Sequence, residues 1–348
     1  MTHKTILALL VAAALSACGG QQTQNTASSA PAASAPAASA APAASASAPQ
    51  QGGKPADKPL EPHTDIKGEV ITVKTTRGDF PVPKNPTNVA VYDYGMLDTL
   101  TALGVNVGAT IDKSNIEYLK PVVEKAAHVG TLFEPNYEAL NAFQPQLIIT
   151  GSRANKAIHE LNKIAPTIEM TADTKNLLAS SKERIDAFAQ IFDKQAEADK
   201  LKAEIDAAFA DAKAAAQGKG KGLVLIVNAG KLSAQSPNSR LGGWLHQDIG
   251  IPAVDADMKE GSHGMPVSFE YVKEKNPDWL FVLDRGAAIG EEGQAAKDVL
   301  NNPLIAETTA WKKGQVVYLD SGTYLAAGGA RQLQIAAKQA ADAFKAAK

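Results

Sequence analysis

Cysteine is all but missing from this chain: its 348 residues hold one, Cys18. A single thiol excludes an internal disulfide and a Cys/His zinc cluster. The sequence patterns of common enzyme centres are missing as well. There is no G-x-S-x-G, no H-E-x-x-H and no Gly-rich phosphate loop, so an enzyme is not expected. No block of like charge occurs: the formal net charge is -2, with acids and bases interspersed, which removes the usual footprint of a nucleic-acid binder. Past the N-terminal run Ile6 to Leu15, no apolar segment approaches the roughly 20 residues that a bilayer span requires.

What is present begins with LVAAALSACGG, which sets Cys18 at the tail of that apolar run. His3 and Lys4 give a short basic start, and Leu15-Ser16-Ala17-Cys18 a small-residue ending, the organisation of an export signal. The pattern resembles a bacterial lipoprotein signal, which implies removal of residues 1–17 and acylation of Cys18. Residues 18–66 are then a tether. They are dominated by Ala, Ser, Pro and Gln, with almost no aliphatic surface larger than Ala to oppose the entropy of ordering. Some 40 residues of such a coil reach about 35 Å. A globular α/β protein held close to a membrane, outside the cytoplasm, is expected.

The globular part reads as two halves, residues 67–176 and 218–348, joined by a helical segment at 177–217. EVITVKTTRGDFPVP alternates around Arg77-Gly78-Asp79, which predicts a β-hairpin. A short strand at Val89 to Val91 precedes a helix with apolar residues at Met96, Leu97, Leu100 and Leu103, and a second strand at Leu147 to Thr150 precedes another helix. This alternation predicts mainly parallel sheets. From Leu177 to Gln217 there is neither Gly nor Pro, which predicts one helix of about 60 Å or two with a bend near Lys194. KGLVLIVNA and WLFVLDR then supply the strands of the second half.

An internal duplication is visible. Laid over Ser268 to Arg285, the stretch Asn136 to Arg153 matches without a gap: Tyr137 on Phe269, Glu138 on Glu270, Pro145 on Pro277, Arg153 on Arg285. Ligands of open parallel sheets bind beyond the carboxyl ends of the strands, where both arginines fall. Either alone reads as a solvated loop charge; as a matched pair they point to an anion site, since a guanidinium fork grips oxygen anions at two points. Asp93 and Tyr94, at the end of the first strand, stand where they could line the cleft, and neither is assigned a role. His128, His159 and His246 lack ligand spacing, and Trp244, Trp279 and Trp311 read as core.

PTNVAVYDYGMLDTLTALGV, QPQLIITGSR and the long helical segment resemble the substrate-binding proteins of ABC importers whose two lobes are joined by a rigid helix. Within that group the chain is most similar to the ferric-enterobactin-binding lipoproteins. The resemblance implies two Rossmann-like lobes with a ligand cleft between them. It implies catecholate-binding cations at Arg153 and Lys156 (GSRANK), Arg240 (SPNSRLGGWL) and Arg285 (LDRG), and Fe(III) ligands at His263 (EGSHGMP) and Tyr324 (DSGTYLAAGG). It also implies docking of a permease on Glu138 and Glu270, which otherwise read as helix N-terminal acids favoured by the dipole. No intrinsic cofactor is expected; Fe(III) enters as part of a siderophore complex. The expected partners are that siderophore, an inner-membrane permease and, through Cys18, a membrane in the periplasm. The protein is expected to be a monomer that binds no nucleic acid. A corrinoid- or haem-binding protein of the same fold, and a purely adhesive lipoprotein, are the alternatives. Fe(III), a hard cation, suits a phenolate oxygen, and imidazole also suits iron.

Overall fold

The computed structural model of the chain describes residues 59–259, 261 and 264–347, all within one compact unit. The expectations for residues 1–17, Cys18, His263 and most of the tether lie outside the described residues.

The hairpin forms where the alternation places it. Strands β1 (Val70–Thr75) and β2 (Gly78–Pro83) pair antiparallel with Thr75 opposite Gly78, whose φ of 111° only glycine adopts easily. Its tip is fastened by Arg77, whose Nε donates to Glu169 Oε2 at 2.6 Å. After it come β3 (Val89–Tyr92), α1 (Tyr94–Ala102), β4 (Ala109–Thr110), α2 (Lys120–Lys125), β5 (Ala127–His128), α3 (Tyr137–Phe143), β6 (Leu147–Thr150), α4 (Ile158–Ile164) and β7 (Thr167–Glu169). The five strands β3 to β7 form one parallel sheet in the order β5-β4-β3-β6-β7. The central strands β3 and β6 are buried throughout, as parallel strands covered on both faces must be.

The segment 177–217 is not one continuous helix. It breaks into α5 (Leu177–Phe192) and α6 (Gln195–Ala216), because Asp193 takes a left-handed conformation at φ 53°. The two helices run antiparallel: Lys202 Nζ lies 2.5 Å from Asp186 Oδ1, and Lys182 pairs with Asp206. The turn is tied to the first half, where Lys84 Nζ meets Asp193 Oδ1 at 2.8 Å and Asn85 N donates to Ile191 O. Helix α6, about 33 Å long, then makes the crossing; just past its end, Lys219 O accepts from Trp279 Nε1.

The second half contains β8 (Gly222–Asn228), β9 (Lys231–Ala234), a π-helical turn at Trp244–Ile249, β10 (Met265–Val267), α7 (Phe269–Lys275), β11 (Trp279–Asp284), α8 (Arg285–Ile289), α9 (Ala296–Val299), α10 (Pro303–Ala306), α11 (Thr309–Lys312), β12 (Val316–Tyr318), α12 (Ser321–Leu325) and α13 (Ala330–Ala346). Its sheet order is β10-β9-β8-β11-β12, parallel between β8, β11 and β12 and antiparallel toward β9 and β10.

Helix α13 is a second bridge beside α6. Its first amides, Arg331 N and Gln332 N, both donate at 2.9 Å to the fully buried Asp98 of α1. At its other end Phe344 packs edge-on against Trp279, ring centroids 4.8 Å apart, in a cluster with Phe281. Burying such a ring contributes about 2 kcal/mol. One end of α13 is thus fixed to the first half by hydrogen bonds and the other to the second half by aromatic packing.

The duplication is structural as well as sequential. Helices α3 and α7 each start at a capping side chain, Asn136 or Ser268, and each ends at a left-handed residue, Gln144 or Asn276. A strand follows each in the same register.

Candidate ligand cleft

A cavity of about 610 Å³ opens beyond the carboxyl ends of strands from both sheets, lined by Asp93 after β3, Arg153 after β6, Thr171 to Asp173 after β7, Gln235 after β9, and Arg240 and Tyr324. This is where a doubly wound sheet leaves a crevice. Asp93 caps α1, its Oδ1 accepting from Gly95 N at 2.7 Å. Position 151 must be glycine, because a Cβ there would collide with the Asp93 carboxylate.

Arg153 belongs to the 3₁₀ turn Ser152–Ala154, and its side chain is 7% exposed. Its Nη1 donates to Leu325 O at 3.1 Å and stands 3.8 Å from Asp93 Oδ2. The first half thereby reaches the α12 backbone of the second. Arg240 lies over the Tyr324 ring, 5.1 Å from the centroid. Desolvation, and after it repulsion from Arg153, pushes the Arg240 guanidinium down to about 10, so it remains a cation at neutral pH. Arg285 Nε donates to the Tyr324 hydroxyl at 3.2 Å, and its guanidinium carbon lies 6.0 Å from the same ring. Its Nη1 also meets Asn228 Oδ1 at 3.3 Å and lies 4.0 Å from Glu291. Tyr324 itself, in the short helix α12, is 7% exposed.

The structure therefore brings Arg153, Arg240 and Tyr324 onto the cavity wall, with Arg285 touching Tyr324 from outside that lining. Lys156 is exposed and absent from the cavity lining. His263 is outside the described residues, although its neighbour Gly261 lines the cavity. Glu138 and Glu270 occupy the first turns of α3 and α7, both exposed and away from the cleft. The Ser268 hydroxyl contributes to holding the Glu270 carboxyl below its usual range, after its own backbone amide.

Asp93, which the sequence places near the cleft without a role, lines it and puts a negative charge among the arginines. A buried charge in that lining escaped the sequence reading. Arg184, on the buried face of α5, lines the same cavity. Its only advance signal is a charge on the buried stripe that holds Ser181, Ile185 and Phe188.

Chemically the cleft combines desolvated cations with a phenol flanked by two guanidinium groups. That combination stabilises an oxygen anion placed in the cleft.

Comparison with known proteins agrees with this architecture. The periplasmic binding protein family model matches residues 89–323. The petrobactin-binding protein YclQ of Bacillus subtilis is 36% identical, the match covering 97% of each chain. Its crystal structure superposes with a TM-score of 0.77, covering 80% of this chain and 99% of that one. The periplasmic catecholate-siderophore binding protein VctP of Vibrio cholerae is 29% identical with a TM-score of 0.73, over 80% of this chain and all of that one. The ferric-anguibactin-binding protein FatB of Vibrio anguillarum is 29% identical over 73% of this chain and 81% of its own. The chain belongs to the periplasmic binding protein family, and it is a binding protein rather than an enzyme.

Proposed function

We propose that this protein is the siderophore-binding component of an ABC iron importer and that its cargo is a ferric catecholate. The coarser part, a siderophore-binding component of iron uptake, is supported by relatives named for petrobactin and ferric anguibactin. The observation that carries the finer part is the buried phenol of Tyr324 set between Arg240 and Arg285, with Arg153 on the facing side. A tris-catecholate complex of Fe(III) is a trianion. At an effective dielectric near 20, one guanidinium about 4 Å from a unit charge contributes about 4 kcal/mol before desolvation is subtracted. A cationic cleft of this kind suits that cargo better than it suits a corrinoid or haem.

Where the chelate is tetradentate, two coordination positions of iron are open, and the proposal gives them to Tyr324 and His263. Arg153, Arg240 and Arg285 hold the catecholate oxygens, with Lys156 at the rim. Cys18 anchors the protein by lipid at the periplasmic side of a membrane, and Glu138 and Glu270 meet the permease. The protein acts as a monomer.

The test is the visible spectrum of the protein loaded with a ferric bis-catecholate. A phenolate-to-iron charge-transfer band is expected in the wild type and lost in Tyr324→Phe, with affinity for the tetradentate complex falling by at least about tenfold and affinity for a hexadentate one changing little. Identical spectra for wild type and variant would remove Tyr324 from the metal. Quenching of intrinsic fluorescence by haem or cobalamin, with none by catecholates, would overturn the cargo class.

A further inference from the structure

Arg184 is a buried cation without a direct ion pair: Asp93 and Asp98 act on it only from beyond contact distance. It is 5% exposed, inside α5. Its Nη1 donates to Met170 O at 3.0 Å, and its Nη2 to Ser181 Oγ at 3.2 Å and to Gly328 O at 2.6 Å. Its Nε is buried without a partner. Among the described residues no carboxylate stands within ion-pair distance of it, whereas Arg153 has Asp93 and Arg285 has Glu291. Gly328, at φ 83°, belongs to this arrangement, because a Cβ there would lie 2.9 Å from Nη2.

A buried charge met directly only by two carbonyls and a hydroxyl is costly, and methionine or leucine would pack such a stripe more cheaply. Burial pushes the guanidinium down to about 10, which leaves it charged at neutral pH. Its location gives that charge something to act on. Arg184 lines the ligand cleft and also a second cavity of about 650 Å³, and with Thr171, Ala172 and Asp173 it forms the wall common to both. Removed from water, a charge in that wall acts on the cleft with little screening.

We propose that Arg184 is a specificity residue, a fourth cation that makes the cleft prefer the more highly charged of two complexes of equal shape. The inference rests on the catecholate reading above. Bound cargo adds anionic charge to the long-range contributions of Asp93 and Asp98, so the contribution of Arg184 scales with the charge of the complex and not with its contacts.

One hexadentate tris-catecholate ligand, loaded with Fe(III) or with Ti(IV), gives nearly isosteric complexes that are trianionic and dianionic. Their dissociation constants, measured by fluorescence titration, give a preference ratio for each protein. The wild type is expected to favour the trianion. Arg184→Met is expected to lower that preference by about tenfold, while Arg184→Lys, which keeps the charge but loses the fork, retains most of it. Where methionine unfolds the chain, Arg184→Gln, whose amide still donates to a carbonyl, takes its place. A purely structural Arg184 predicts a different result: equal losses for both complexes, with lysine as damaging as methionine, and this overturns the proposal. If the wild type binds neither complex, the catecholate reading falls first, and the absence of any measurable ratio distinguishes that outcome.

Discussion

Arg153 and Arg285 close two copies of one helix-strand unit, and the folded chain treats them differently. The units agree in backbone: capped helices α3 and α7, left-handed C-caps, buried strands. The side chains do not agree. Arg153 is 7% exposed and reaches across the cleft to a carbonyl of the opposite half, while Arg285 is 19% exposed and stays within its own half, on Tyr324, Asn228 and Glu291. Duplication thus fixes where a cation stands, and the later packing of each half decides how much water surrounds it. Water sets the strength of a charge, so equivalent positions become unequal contributors.

The sharpest way to break this comparison is to remove each arginine in turn. Arg153→Ala is expected to weaken ferric catecholate binding by about a hundredfold, the scale for truncating one partner of a desolvated charge pair. Arg285→Ala is expected to cost about threefold to tenfold, nearer the scale of exposed pairs. Equal losses in fluorescence titrations would show that burial does not rank them.

A second asymmetry is Asp98, which holds the first-half end of α13 by hydrogen bonds where aromatic packing holds the other end. Burial raises its carboxyl to about 6, against the opposing pull of the Arg331 and Gln332 amides. A carboxyl whose folded value exceeds its unfolded value near 4 adds stability below the unfolded value and loses that contribution as pH rises through about 6. The two-unit difference corresponds to at most about 3 kcal/mol. Denaturant midpoints of the wild type are therefore expected to rise between pH 7 and pH 5 relative to those of Asp98→Asn. Parallel pH profiles for the two proteins would remove Asp98 as the cause.

The smallest expected effect on cargo concerns the most visible duplicated pair. Glu138→Ala and Glu270→Ala are expected to leave cargo affinity unchanged within about twofold, as surface substitutions away from a site do, and to reduce uptake in cells that carry the permease. A loss of cargo affinity would place these acids in the cleft's electrostatics instead.

Much of this was legible beforehand, for identifiable reasons. The strand Leu147 to Thr150 was readable because three apolar residues and a threonine lie between turn signals, and the duplicated unit because its caps, proline and arginine keep register. The reversal at Asp193 was only half readable. Left-handed backbone is usually marked by glycine, and here an aspartate takes it, held by Lys84 and Asn85 from a distant segment. Asp98 and Arg184 were hidden for a common reason. Each sits on the buried face of a helix whose other residues there are mostly apolar, and local pattern cannot show which distant carbonyls or amides meet a charge. The ion pair between Arg77 and Glu169 joins residues far apart in sequence and was equally out of reach.

The paired crossing of α6 and α13 has one more effect. Two struts clamped at both ends resist a change of spacing, so on the proposed docking the acids of α3 and α7 are expected to keep nearly the same separation with and without cargo. A permease that gauged this spacing would then accept either form. Vacant copies would compete with laden ones, and uptake would be expected to slow when the carrier greatly outnumbers its freight.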